Sequence, residues 1–136
     1  MNIAGSIRQL IADNTTAFGL VGDRVFPIVA LQAAAFPHVI VRKTKTQRQP
    51  AHGEKSHTRT IMLEVISVDP SAKTAIEVDE AVEAALDNFT GQVTFKGETC
   101  LISGINILDT KEGFDATDNV CLVLSEYSIR VTILGT

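Results

Sequence analysis

Apolar and polar positions interleave with a clear period over residues 69–91, where Ala75, Val78, Val82, Ala85, Leu86 and Phe89 recur at helical spacing and Glu77, Asp79, Glu80, Glu83 and Asp87 fall mostly between them. The pattern predicts one amphipathic helix with an apolar side to bury and an acidic side in water. Asp69 is placed to cap its first turn, and Pro70 suits the first helical position because its missing N–H would have no partner there. Gly91 stands where a left-handed cap ends a helix. Burying Val78, Val82, Leu86 and Phe89 contributes roughly 1.5–3 kcal/mol each before ordering entropy is counted. Such a helix needs a surface to pack on.

The flanking segments supply one. Ile3, Ile7, Leu10 and Ile11 repeat at three to four, predicting a short first helix over 2–14 that stops at Asn14-Thr15-Thr16. Residues 19–27 are turn-rich and fit neither a full helix nor a long strand, so an ordered loop is expected there. The small-residue run 30–35 suits helical turns, while Pro37 drives Phe36 towards extended backbone. His38-Val39-Ile40-Val41 opens a strand over 38–46 that turns polar as it leaves the core. Residues 47–57, with Pro50 and Gly53 and almost nothing apolar, read as an exposed arm or loop. The return strand over 58–68 alternates Ile61, Leu63 and Val65 against Thr60, Met62, Glu64 and Ile66, and should pair antiparallel with the first.

Beyond the helix, Val93-Thr94-Phe95 and Thr99-Cys100-Leu101 flank a turn at Gly97. Residues 102–110 and 120–133 are the last extended candidates, joined by a connection over 111–119, with a phase slip near Ser125-Glu126 expected to be a bulge. The outline predicts an α+β domain, a mostly antiparallel β-sheet with two α-helices packed on one face and a long protruding β-hairpin arm or loop.

At 136 residues the chain fits one domain that buries about two thirds of its unfolded surface without disulfides or metal. No apolar run reaches the ~18–20 residues of a membrane span and the N-terminus lacks signal-peptide character, so a cytoplasmic protein without membrane contact is expected. Cys100 and Cys121 lack C-x-x-C spacing and read as buried free thiols. The net charge of −4 argues against a duplex-binding module. Its distribution is more telling: Arg42, Lys43, Lys45, Arg48, Lys55 and Arg59 gather in one stretch with His52 and His57, while carboxylates dominate the helix and residues 109–118.

Catalytic sets do not emerge. There is no G-x-S-x-G elbow, Walker loop, G-x-G-x-x-G run or H-E-x-x-H, and no cofactor is expected. His52 and His57 stand in a loop that offers metal no supporting shell, and His38 reads as a structural or interfacial polar group. The glutamates and aspartates of the helix, without a histidine or metal partner, read as a solvated face. The basic stretch can contact phosphates but holds no aromatic residue to stack bases, which leaves a soluble hairpin tip, a protein-docking arm or non-specific proximity to nucleic acid.

In order along nearly the whole chain, these landmarks resemble the tail-completion, or tail-terminator, proteins of long-tailed bacteriophages and prophages. The resemblance is carried by Leu20-Val21-Gly22-Asp23-Arg24-Val25-Phe26-Pro27 after the first helix, by Phe36-Pro37-His38-Val39-Ile40-Val41, by Val82-Glu83-Ala84-Ala85-Leu86-Asp87 within 69–89, and by the turn over 109–118 before the last strand. It implies a structural virion protein, not an enzyme, assembled in the host cytoplasm at the head-proximal end of the tail. Such proteins form a ring, usually of six copies, that caps the tail tube and presents a surface for head-tail joining. The implied partners are further copies of the chain, the tail tube protein and a head-side neck or stopper protein, with DNA passing through the lumen. Alternatives are a head-side neck component or another small protein-binding module. The candidate contacts are Arg42, Lys43, Lys45, Arg48, Lys55 and Arg59 on the arm, and Glu77, Glu80 and Glu83 on the helix as a complementary patch.

Overall fold

The structure, a computed structural model, describes residues 3–27, 35–48, 58–95 and 97–135. In chain order the elements are α1 (Ile3–Asp13), α2 (Thr15–Val21), β1 (Val25–Pro27), β2 (His38–Arg48), β3 (Thr58–Asp69), α3 (Ala72–Leu86), β4 (Gly91–Phe95), β5 (Glu98–Asp115) and β6 (Val120–Gly135). The strands form a single curled sheet in the order β1-β2-β3-β6-β5-β4. Only β1 and β2 pair in parallel; the rest is antiparallel. None of the described helices is long and apolar enough to cross a membrane.

One face of the sheet carries the core. Val39 and Val41 of β2, Ile61, Leu63 and Val65 of β3, Tyr127, Ile129 and Val131 of β6, and Ile102 and Ile105 of β5 are all buried, in register with one another across the strands. The helices cover them with Ile3, Ile7, Ile11, Val21, Val78, Val82 and Leu86. The curl lets α1 touch β1 and β2 at one edge and β4 at the other. The α+β class, the antiparallel sheet and the β2–β3 hairpin are therefore as expected.

Several local expectations are corrected. There are three helices rather than two, because Asn14 ends α1 and also starts α2: its side chain accepts from the Ala17 N–H at 3.0 Å. Gly22, at φ 59, ends that helix, so residues 15–21 are helix and β1 follows within what reads as loop. α3 starts later than Asp69 and Pro70 suggest. Ser71 is its cap, and Asp69 instead accepts the Ser71 N–H at 2.8 Å. It also stops earlier: Asn88 takes the left-handed conformation at φ 64, and Gly91 opens β4.

Residues 111–115 are strand, not connection. β5 runs on to Asp115, and the turn is confined to 116–119, where the Asp115 carboxylate accepts the N–H groups of Thr117 and Asp118. β6 pairs with β3 without interruption from Thr58–Thr132 to Asp69–Cys121; the irregularity expected near Ser125-Glu126 lies on its other side, in β5, between the Ile107–Tyr127 and Asp109–Glu126 pairs. Val123, Ser125 and Tyr127 all face the core, while Leu122 and Leu124 are half-buried on the other face, which is what produces the apparent slip. Cys100 is buried and in no disulfide among the described residues, but Cys121 is only half-buried. The run 30–34 and the arm tip at 49–57, with Lys55, His52 and His57, lie outside the described residues.

Candidate interaction surfaces

The basic residues at the base of the arm divide between the two faces of the hairpin. β2 and β3 shift register between Lys43 and Lys45, so Lys43 stands opposite Leu63 of the core face and Lys45 opposite Met62 of the other face. Both lysines are exposed. Arg42 is half-buried and donates from Nη2 to Glu64 Oε2 at 3.0 Å, an internal ion pair that removes it from the freely available charges. Its Nε is buried without a partner among the described residues. Arg48 pairs in register with Arg59 at the described end of the hairpin. Arg59 Nη1 is also buried and unpartnered among the described residues.

On α3, Glu77 and Glu80 are exposed and Glu83 is half-buried. None of the three forms an ion pair with the basic stretch among the described residues, so the two patches are left open rather than neutralised within the chain. The other two carboxylates of that helix have structural tasks. Asp79 is buried and accepts from Ser125 Oγ, a correction to the solvated face expected for it. Asp87 ends the helix, and its Oδ1 accepts the Ile107 N–H at 3.1 Å, tying α3 to β5.

The residues that resemble the terminator pattern around Arg24 and His38 hold the fold together. Arg24 donates from Nε to the Pro37 carbonyl at 2.9 Å and from Nη2 to the Leu20 carbonyl at 3.1 Å, joining the end of α2 to the start of β2. His38 is buried, stacked on Phe36 with centroids 5.2 Å apart and met edge-on by Phe26. Burial lowers its pKa from the ordinary histidine value.

Both sides of the sheet end in an open strand edge that sequence reading missed. β1 covers β2 only at Val39–Val41, and on that side residues 42–48 have no strand beside them among the described residues. β4 covers β5 only as far as Ile102. The Asn88 N–H then meets the Ile105 carbonyl and Asp87 holds Ile107, after which residues 108–115 are open. This second edge exposes Leu108 and Phe114, at 53% and 59%.

Two grooves are formed by the described residues. A groove of about 520 Å³ between the ends of α1 and α3 and β4 has Asp13 as the one ionisable side chain in its lining. A second, of about 310 Å³, runs between Ala72 and Ile76 of α3 and Phe114, Cys121 and Val123 of the β5–β6 hairpin. No group of three His, Cys, Asp or Glu suited to a metal occurs among the described residues.

No protein-family model matches the chain. No curated protein matches it either. Among solved structures it is similar to a chain in the virion of a native gene transfer agent particle, with a TM-score of 0.73 and 16% identity over 96% of this chain and 94% of that one. It is also similar, at a TM-score of 0.54 and 13% identity over the same shares, to a solved chain that carries no functional name. At these identities the likeness is one of fold, and it runs nearly from end to end: the chain shares the fold of that chain in the gene transfer agent particle.

Proposed function

We propose that this chain is a structural virion protein that forms a ring on the head-proximal end of a tail tube, stops tube growth there and offers the surface to which the head joins. The observation that carries this reading is the end-to-end likeness to a chain of a virion particle. The landmarks in sequence that resemble tail-terminator proteins point the same way, and they cover the same length. A closed head-to-tail ring requires two different surfaces on every copy. The basic stretch of sequence from Lys43 to Arg59, with Lys43, Lys45, Arg48, Lys55 and Arg59, and the acidic side of α3, with Glu77, Glu80 and Glu83, form such a pair of opposite sign. Charges of this kind steer association and fix register more than they add affinity.

The test is negative-stain microscopy of the purified chain, alone and mixed with its tail tube. Rings of six copies seated on tube ends are expected. Tubes of unregulated length with bare ends in the presence of the chain would refute the reading. Removing residues 47–57 should leave a folded protein that no longer makes rings or completes tails, since the β2–β3 pairing up to Thr46–Ile61 is retained.

A further inference from the structure

Building on the self-assembly reading above, we propose that copies of this chain join edge to edge, the open stretch of β2 in one copy adding to the open stretch of β5 in the next as an antiparallel pair. An unpaired strand edge is a template for another strand, and soluble proteins normally shorten or cover it. Here neither edge is short. Among the described residues, the open stretches 42–48 of β2 and 108–115 of β5 are similar in length and lie on opposite sides of the one sheet. Leu108 and Phe114 stand exposed on the β5 edge, the reverse of a protected border.

The direction of pairing follows from the topology. Three antiparallel steps separate β2 from β5, so they run in opposite senses within one copy. Continuing the sheet from copy to copy without turning one over therefore makes the new pair antiparallel. The charges also match. The β2 stretch carries Lys43, Lys45 and Arg48 besides the Arg42 already paired with Glu64, and no acid, whereas the β5 stretch carries Asp109, Glu112 and Asp115 against Lys111 alone. Glu112 also stands beside Ala72 and Ile76 of α3, on the same groove, so this edge lies next to the helix that carries Glu77, Glu80 and Glu83.

Position along the strands adds a geometric consequence. Arg42, Glu64, Glu126 and Asp109 form one row across the sheet. β2 is open on one side of that row and β5 on the other, so joining the open stretches shifts each copy along the strands relative to the last. A closed ring built this way has strands inclined to its axis, as closed barrels do. Unlike edges also make the contact heterologous, the type that closes into rings.

Zero-length carbodiimide coupling of the assembled protein, prepared from mixed light and nitrogen-15-labelled copies, tests the pairing directly. Mass spectrometry should find peptides joining Lys43 or Lys45 of one copy to Asp109, Glu112 or Asp115 of another. Thr110 directs its N–H away from β6, to Asp109 Oδ1, and by strand alternation the Glu112 N–H points to the open side as well. Glu112→Pro should thus spare the β5–β6 ladder and lower the assembled fraction at least tenfold. If that variant fails to fold by circular dichroism, the charge exchange Lys45→Glu with Glu112→Lys replaces it, each single change weakening assembly and the pair restoring it. Rings whose links bypass β5, together with edge variants that assemble like the parent, would overturn edge pairing and leave the ring reading standing. A chain that stays single at every concentration, alone and with the tube, would overturn both.

Discussion

Ser125 Oγ donates to Asp79 Oδ1 at 2.6 Å, joining the middle of β6 to the buried side of α3. Both residues are buried, and Thr110 Oγ1 lies 3.2 Å from the same serine oxygen. Burial raises the Asp79 pKa above the ordinary carboxylate value; the Ser125 bond opposes this, and Glu83, Glu80 and Glu112 reinforce it. The folded state therefore favours the neutral acid. Stability linked to Asp79 is fully present below the unfolded value of about 4 and is lost as pH rises through the folded one. Asp79→Asn keeps an acceptor for Ser125 and removes the buried charge, so thermal melts should show a gain at pH 7 that shrinks at pH 4. Asp79→Ala, which strands the serine, should cost about 1–3 kcal/mol. A large loss in the asparagine variant at pH 7 would show that the charge itself is required.

Tyr127 is fully buried, and its hydroxyl has no hydrogen-bond partner among the described residues. Leaving such a group unpaired costs about 1–3 kcal/mol, against a small loss of packing when one oxygen is removed. Tyr127→Phe should therefore leave the urea midpoint unchanged or raise it. A marked drop would mean that the hydroxyl has a partner in solution.

Arg24 bridges the Leu20 and Pro37 carbonyls with a charged donor. Arg24→Met preserves most of the stem and leaves both acceptors unmatched, with an expected loss of about 2–3 kcal/mol in denaturant unfolding. Arg24→Lys should recover little of it, because a single ammonium does not reproduce the guanidinium fork. Full recovery by lysine would contradict this account.

His38 is held in its neutral form mainly by burial, with the Arg24 charge acting in the same sense and the Ala35 carbonyl and Asp69 opposing. A lowered folded pKa means that stability is present above the ordinary value of about 6.5 and is lost as pH falls through the folded one. Melts between pH 7 and pH 5 should show a decline that His38→Phe reduces. An unchanged decline in the variant would assign the acid sensitivity to other groups.

Periodicity exposed the parts of the fold that pack against something. α3 and the β2–β3 hairpin repeat cleanly because each presents one apolar side to the core. The same logic places Asp79 inside, four residues after Ala75 and three before Val82, and only its charge disguised it. Ser125 was hidden likewise, in phase with Tyr127 but polar, so that Leu122 and Leu124 on the opposite face took over the apparent rhythm. The far half of β5 gave no rhythm at all. Thr110 and Glu112 continue the inward-facing positions, yet both are exposed beyond the helices, and without a covering surface there is no selection for apolar residues. α2 was lost to brevity, since seven residues including Gly19 and two threonines carry weak helix propensity. The charged arm was visible in composition alone, whereas the internal pairing of Arg42 needed the register of β2 on β3.

The interruptions in strand pairing are unevenly shared. β5 departs from regular register against β6 at three places, and β2 does so once against β3, while β3 and β6 keep step along their whole contact. Mechanically the molecule is a stiff keel with two compliant rims. In the proposed ring, the irregularities between Lys43 and Lys45 and between Ile107 and Asp109 are where neighbours of differing curvature would be accommodated, leaving the β3–β6 contact regular. Amide exchange should report the difference as slow protons along β3 and β6 and fast ones along the free halves of β2 and β5.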